Sequence, residues 1–301
     1  IMPYFSHQGV KLHYLDEGEG PALLFLHEFG GDARTWVQQV AGFSQQTNAP
    51  RRCIVLSARG YLPSDVPADP AAYSWENNRD DAIALMDHLG LQQVDLIGLS
   101  MGAYIALMIT LHVPDRIRST VCASVGAGAH PPFRAAFIED AIASADHIRT
   151  TGTMPAREMA LAPNRIQLRS KNEPAWQEFL DQLAEHDPIG AANTLAEVQA
   201  KRPGLHDFAD QLEALEVPVL ILAGDEDEPC LDVSLWLKRQ MPYAALKLYP
   251  RSGHLINLED PDQFNLDIAL FHRALGEGRW EKRSPTPFTS MFASADELQS
   301  D

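Results

Sequence analysis

The chain has 301 residues, and 45% of them are hydrophobic, which is ample for a large buried core. Its 41 acidic residues outnumber its 24 lysines and arginines, and the resulting formal net charge of -17 would repel nucleic acids and other phosphate-rich partners. No apolar run reaches membrane-spanning length, and no basic segment precedes an apolar one near the N-terminus. We therefore expect a cytoplasmic protein without a membrane partner.

Strand-like and helix-like segments alternate along the first half of the chain. We predict an outer antiparallel strand at residues 11–17 and buried strands at 22–27, 53–57, 94–99, 120–125, 217–223 and 246–250. Apolar residues at helical spacing predict helices at 32–46, 75–89 and 103–112. This alternation predicts an α/β fold with a mainly parallel central sheet and helices on both faces.

The alternation stops between residues 130 and 211. This interval has no convincing strand, but amphipathic stretches occur at 133–148, 156–168, 176–183 and 189–198. It leaves the sheet after one predicted strand and returns before the next, at the carboxyl edge where α/β proteins bind ligands. We predict a helical cap at 130–211 and a core built from 1–129 and 212–276.

The C-terminal residues 277–301 form a tail rich in Ser, Pro, Thr and acidic residues. That composition cannot support a core of its own. We expect the tail to be extended along the surface, held by Trp280, Phe288 and Phe292, or disordered.

Residues 98–102 read Gly-Leu-Ser-Met-Gly and stand between a predicted strand and a predicted helix. In this setting the pattern is typical of a nucleophile elbow, a strained turn that lifts a serine hydroxyl out of the sheet. A side chain at Gly98 or Gly102 would obstruct that turn. Ser100 is therefore the candidate nucleophile.

A serine nucleophile needs an imidazole to take its proton and a carboxylate to orient that imidazole. Acidic residues follow the predicted strand at 217–223 directly, as Asp225, Glu226 and Asp227. His254 follows the last strand-like run, in the sequence Ser-Gly-His. The order serine, acid, histidine is the one expected with a nucleophile elbow.

Together these three motifs resemble the α/β-hydrolase fold superfamily, in particular its serine-nucleophile esterases and lactonases with a helical cap. The resemblance extends over about residues 10 to 275. It implies that Asp227, three positions after the glycine that ends its strand, is the acid, with Asp225 and Glu226 as second choices. One departure is Pro229, which follows this acid by two positions where the family often has a proline at four.

The same resemblance implies an oxyanion hole formed by the N–H groups of Met101 and Phe29. His27 precedes this loop, and Trp36 stands where the family commonly has tryptophan. Glu28 replaces the usual glycine. We place Glu28, His27 and Trp36 among the candidate substrate-pocket residues.

Glu28 is the departure with the clearest chemical consequence, because a carboxylate beside an oxyanion site opposes the developing charge. We favour slightly a structural role in which Glu28 caps or braces the glycine-rich turn and the first helix start. Alternatively it faces the pocket and selects a polar or amine-bearing substrate or acts as an auxiliary acid, or it indicates chemistry other than ordinary ester hydrolysis.

Two further groups of residues have expected roles. Arg59, in the turn after the strand at 53–57, is interpreted as a structural brace. The cap offers candidates for the pocket, although aromatic residues at helical spacing more often pack than bind: His130, Phe133, Arg134, His147, Arg165 and Trp176.

We expect an enzyme that hydrolyses a small-molecule carboxylic ester, lactone or related acyl compound. It requires no metal and no organic cofactor, and the three cysteines (Cys53, Cys122 and Cys230) are interpreted as reduced core residues. Carbon–carbon bond hydrolysis, amide hydrolysis and peracid formation use the same three catalytic residues and stay open. So do a ligand-sensing protein with little turnover and a homo-oligomeric state.

Overall fold

The computed structural model describes residues 3–45, 49–283 and 291–292. Within these residues, one sheet is built from eight strands: β1 (Tyr4–His7), β2 (Val10–Glu17), β3 (Ala22–Leu26), β4 (Arg52–Leu56), β5 (Val94–Leu99), β6 (Ile117–Ala123), β7 (Val219–Gly224) and β8 (Ala244–Tyr249). Their order in the sheet is β1-β2-β4-β3-β5-β6-β7-β8. The pairs β1/β2 and β2/β4 are antiparallel, and all the other pairs are parallel.

The predicted α/β fold is confirmed. Every residue of β3, β5 and β7 is buried, because helices cover both faces of the sheet. These strands are apolar apart from Asp95 of β5, whose buried carboxylate pairs with Arg51 and Arg118. The outer strand β2 is antiparallel, as predicted from its alternating pattern. The sequence interpretation missed β1, whose four residues pair only with β2 at the edge of the sheet.

Twelve α-helices occur in the described residues: α1 (Val37–Ser44), α2 (Trp75–His88), α3 (Met101–His112), α4 (Pro131–Thr151), α5 (Ala156–Ala160), α6 (Gln167–Lys171), α7 (Glu173–Ala184), α8 (Pro188–Asn193), α9 (Ala209–Glu213), α10 (Glu228–Gln240), α11 (Ile256–Glu259) and α12 (Pro261–Gly276). One face of the sheet packs against α2, α3 and α10, and the other against α1 and α12. The protein therefore has two apolar layers with the sheet between them.

Some predicted helices differ from the observed ones. The predicted helix at 156–168 is two short helices, α5 and α6, because Pro163 lacks the N–H that a continuous helix would use. The first predicted helix starts with a 3-10 turn, Ala33–Trp36, before α1, and the last one in the predicted cap continues from α8 into a π-helical turn, Thr194–Gln199.

Helices α4 to α9 lie between β6 and β7 in the chain, and we call residues 131–213 the helical segment. Throughout this segment, all of which lies within the described range 49–283, the chain forms no strand. The segment has its own buried cluster, which includes Trp176, Phe179 and Leu183 and also contacts Phe29 and Met101 from the sheet side. That contact places it over the carboxyl edge of the sheet.

Part of the predicted tail lies within the described residues. The Trp280 indole N–H donates to the Tyr243 carbonyl at 2.8 Å, and its ring packs edge-on against Phe271. Phe292 is 80% exposed, and Phe288 lies outside the described residues. Over the described part of the chain, no helix combines the length and apolar character needed to span a bilayer.

Candidate active site

Ser100 lies at the sharp turn between β5 and α3. Its backbone has φ 54° and ψ -110°, a strained conformation for a residue with a side chain, and its N–H donates to the Ala123 carbonyl at 2.8 Å. A Cβ at Gly98 would lie 2.5 Å from the Ala103 nitrogen, and one at Gly102 would lie 2.7 Å from the His27 carbonyl oxygen. Crowding by neighbouring backbone therefore explains why glycine occupies both positions.

His254 and Asp227 come together from two loops at the same edge. The His254 Nδ1 is 2.8 Å from an Asp227 carboxylate oxygen, and both side chains are buried. The other carboxylate oxygen accepts a hydrogen bond from Asn164 Nδ2 at 2.9 Å. Burial alone would raise the pKa of Asp227, but the His254 charge and these hydrogen bonds lower it below its ordinary value.

The neighbouring acids have other partners. Asp225 accepts the backbone N–H of Ser252 at 3.2 Å, and Glu226 accepts from Gln167 Nε2 at 2.8 Å. Of the three acids considered from the sequence, Asp227 is therefore the one that hydrogen-bonds the His254 ring.

A cavity of about 350 Å³ lies between the sheet edge and the helical segment. Ser100 and His254 both line it, and so does Phe29. The remaining lining residues come from the helical segment and the loop before it: Ala127, Phe137, Asp140, Ala141, Ser144, Ile148, Met154, Pro155, Met159, Asn164, Arg165, Leu195 and Gln199. The lining combines apolar side chains with a few polar groups, which is typical of small-molecule sites.

The two predicted oxyanion donors belong to the buried cluster beside this cavity. Met101 is the first residue of α3 and directly follows Ser100. Phe29 lines the cavity, and its carbonyl accepts a hydrogen bond from the Tyr61 hydroxyl at 2.8 Å, which fixes the orientation of that backbone.

Glu28 does not cap the first helical turn, which is one part of the structural role that we favoured from the sequence. Its side chain does lie against the glycine-rich turn, since a Cβ at Gly31 would meet the Glu28 Cγ at 3.2 Å. The first helical turn is capped by Asp32, which accepts the Arg34 N–H and forms a capping box with Thr35. The Glu28 side chain is instead fully buried. One of its carboxylate oxygens lies 3.1 Å from Arg165 Nη2 and 3.6 Å from His254 Nε2.

Two other expected pocket residues lie outside this cavity. Trp36 is completely buried in the core, where it packs against Phe25 and Phe264, because α1 and α12 cover that face of the sheet. The His27 ring braces two loops: its Nδ1 lies 2.7 Å from the Glu28 carbonyl, and its Nε2 accepts the Ala58 N–H at 3.1 Å. Burial also lowers the pKa of His27.

Of the cap residues named from the sequence, Arg165 is the one that lines the cavity. Trp176 packs in the helical segment, and its indole N–H donates to the Ala160 carbonyl at 2.9 Å. Sequence reasoning missed Asn164, which contacts Asp227, and the apolar lining residue Phe137. Both residues lie within the interval predicted as a cap, 130–211, in which no residue pattern distinguished inward-facing from outward-facing side chains.

Among the described residues, Asp227, Cys230 and His254 form a group of side chains close enough to share a metal ion. Burial, with the nearby Asp227 charge, raises the pKa of Cys230 well above its ordinary value, so this side chain stays a thiol. Asp227 and His254 are hydrogen-bonded to each other. The residues therefore suit an orienting acid–imidazole pair better than a metal site.

The protein has the features of an α/β-hydrolase: the sheet order, the turn at Ser100 and the cavity at the carboxyl edge of the sheet. Residues 23–267 match the sequence profile of the alpha/beta hydrolase family, and the chain belongs to this family.

Its relatives include several kinds of hydrolase. The chain is 27% identical to 3-oxoadipate enol-lactonase 2 of Acinetobacter baylyi, over 86% of this chain and 91% of the relative. It is also 27% identical to the 2-hydroxy-6-oxononadienedioate/2-hydroxy-6-oxononatrienedioate hydrolase of Burkholderia vietnamiensis, over 88% of this chain and 91% of the relative. An esterase of Thermogutta terrifontis, solved with malate bound, matches with a TM-score of 0.78 and 25% identity, covering 91% of this chain and 97% of the esterase. The protein is a hydrolase of this family.

Proposed function

We propose that this hydrolase cleaves small-molecule carboxylic esters or lactones through an acyl-enzyme. The observation that carries the proposal is that Ser100, on its strained turn, lines the same cavity as His254, whose ring is held by the buried Asp227. An alcohol, an imidazole and a carboxylate in this relation are the parts that acyl transfer requires. The helical segment acts as the cap that covers them.

In the proposed reaction, the Ser100 hydroxyl attacks the substrate carbonyl while His254 Nε2 takes its proton. Asp227 orients the ring and balances the charge of the imidazolium. The N–H groups of Phe29 and Met101 hold the negative oxygen of the tetrahedral intermediate, and the imidazolium then protonates the leaving alcohol. Water activated by His254 releases the acid and regenerates the serine.

The cavity limits the substrate to a small molecule. At about 350 Å³ it is at the lower end of the range of ordinary ligand pockets. Apolar side chains such as Phe137 and Met159 favour a substrate with a compact apolar acyl group. Gln199 and Ser144 offer polar contacts in the same cavity.

A panel of p-nitrophenyl esters and aliphatic lactones tests the proposal. The wild-type protein should hydrolyse short-chain members, and Ser100→Ala should remove about 10³-fold or more of kcat. Ser144→Ala is the matched control, because it deletes a hydroxyl from the wall of the same cavity and should keep most of the activity. Equal rates for wild type and Ser100→Ala would contradict the proposal.

Carbon–carbon bond hydrolysis is a second candidate, since one relative is named for hydrolysis of 2-hydroxy-6-oxononadienedioate at 27% identity. The same three residues would serve it. A 1,3-diketone or vinylogous diketone assayed beside the esters separates the two activities: Ser100-dependent cleavage of the ketone with no ester turnover favours the second candidate.

A further inference from the structure

The Glu28 carboxylate is aimed at the nitrogen that the proposed mechanism uses. Its Oε2 lies 3.6 Å from His254 Nε2, while Asp227 lies 2.8 Å from Nδ1 on the other side of the ring. The imidazole therefore stands between two buried carboxylates. In the proposed mechanism, Asp227 orients the ring through Nδ1. A second carboxylate at Nε2 opposes the transfer of the Ser100 proton to that nitrogen.

The reason is electrostatic. An opposite charge about 4 Å from an ionisable group favours its charged form, typically by 1–3 pH units. A free Glu28 carboxylate would hold a proton on Nε2, and a protonated imidazole cannot accept the proton of Ser100. The negative charge of Glu28 must therefore be neutralised for His254 to act as the base.

Arg165 is placed to do this. Its Nη2 lies 3.1 Å from the same Glu28 oxygen, and its side chain is only 13% exposed. Among the described residues, Arg165 is the permanently charged cation that reaches Glu28. It belongs to the loop between α5 and α6, in the helical segment, whereas Glu28 and His254 belong to loops of the sheet.

The other titratable groups around Glu28 do not replace this cation. Tyr61 faces it, and burial together with the Glu28 charge raises the pKa of Tyr61 well above its ordinary value, so the phenol stays neutral. His27 is neutral as well, because its Nε2 accepts the Ala58 N–H. Among the residues that the structure describes, Asp227, Cys230 and Glu28 lie beside the His254 ring, and the Arg165 guanidinium lies beyond Glu28.

We infer that Arg165 is a positioning residue that neutralises Glu28 and thereby leaves His254 free to act as the base. This inference rests on the proposed acyl-transfer function of the site. It also means that the readiness of the base depends on the placement of the helical segment, since the neutralising charge comes from that segment. Glu28, at a position where the family usually has glycine, creates this dependence.

The test uses Arg165→Met, Glu28→Gln and the double variant. The first measurement is the rate at which a fluorophosphonate probe labels Ser100 between pH 5.5 and 9.5, because labelling reports the activated serine without knowledge of the natural substrate. The second is kcat/KM for a p-nitrophenyl ester over the same range. Far-UV circular dichroism checks that each variant is folded.

For Arg165→Met, the pH of half-maximal labelling should rise by about one unit or more. The labelling rate should therefore be about tenfold below that of wild type at low pH and should recover to the wild-type rate at high pH. Adding Glu28→Gln should return the profile to within a few tenths of a unit of wild type, because the carboxylate that held the proton is gone. Arg165→Lys keeps the charge and should keep the wild-type profile.

Arg169→Met is the matched control from the same segment, since Arg169 stacks on Trp176 and lies outside the cavity. It should leave the profile unchanged. The inference is overturned if Arg165→Met lowers the labelling rate by the same factor at every pH. It is also overturned if adding Glu28→Gln to Arg165→Met fails to reverse the shift of the pH profile. If Arg165→Met does not fold, a shifted profile in Arg165→Lys also overturns it. Failure of the proposed function looks different: the wild-type serine would not be labelled at any pH.

Discussion

Replacing Gly102 by alanine should damage both stability and activity. Gly102 is the second residue of α3, and its Cα faces the backbone at the end of β3. An added Cβ would lie 2.7 Å from the His27 carbonyl oxygen, and still closer to that of Leu26, where ordinary contact begins at 3.4 Å. The helix and the strand must therefore separate by about 1 Å or more, since neither neighbour is a flexible side chain.

The size of the effect follows from that geometry. Overpacking a well-packed interior costs about 1–3 kcal/mol, and a backbone-to-backbone clash belongs at the upper end. For a protein of this size, about 3 kcal/mol corresponds to a fall in Tm of about 5 °C. Moving α3 also displaces the Met101 N–H from the predicted oxyanion site, and a displacement of about 1 Å can cost about 100-fold in rate.

Thermal unfolding followed by circular dichroism, together with p-nitrophenyl ester hydrolysis, measures both effects. Gly276→Ala is the control: it lies at the end of α12, and a Cβ there meets nothing within 4 Å. It should change stability by no more than about 1 kcal/mol. A Gly102→Ala protein with wild-type Tm and activity would refute the reasoning that backbone crowding requires glycine at this turn.

Three further changes have definite expected outcomes. Asp227→Asn should lower kcat for ester hydrolysis by about 10³- to 10⁴-fold with the fold intact, and a loss under tenfold would contradict the orienting role. Burial lowers the pKa of His272 from 6.5 to about 4, so the unfolded chain binds a proton that the folded protein does not, and stability falls as pH drops from about 6.5 to 4. Urea unfolding across that range should give a flatter profile for His272→Gln. Arg59 forms a buried two-pronged ion pair with Asp81, and Arg59→Ala should reduce the free energy of unfolding by about 3 kcal/mol in the same assay.

The candidate site could be predicted from the sequence where each of its parts is specified by a few neighbouring residues. The strained serine turn needs glycines at fixed spacing, and the acid and the histidine each follow a recognisable strand at the same sheet edge. Their positions along the chain therefore indicated Ser100, His254 and a run of three acids, among which the resemblance to the α/β-hydrolases implied Asp227. The structure brings Asp227 and His254 within hydrogen-bonding distance. What these residues do in catalysis stays a prediction.

Long-range pairs could not be predicted in this way. Glu28 stood out as a departure from glycine, but its partner Arg165 lies 137 positions away, in a loop whose path is set by how α5, α6 and α7 pack. Of the two parts of the favoured role, capping was wrong because Asp32, four residues later, already caps the first helical turn, whereas bracing of the glycine-rich turn stays a prediction. Trp36 likewise matched a family position, yet only the packing of α12 shows that it is core.

The sequence by itself determined strands β2 to β8, the turn at Ser100 and the location of the helical segment, because apolar periodicity and backbone sterics act over a few neighbouring residues. Only the tertiary structure decided which side chains of that segment face the cavity and which charge neutralises Glu28. Those contacts join residues far apart in the chain. The distances between them depend on how several helices and strands pack together, which no short stretch of sequence specifies.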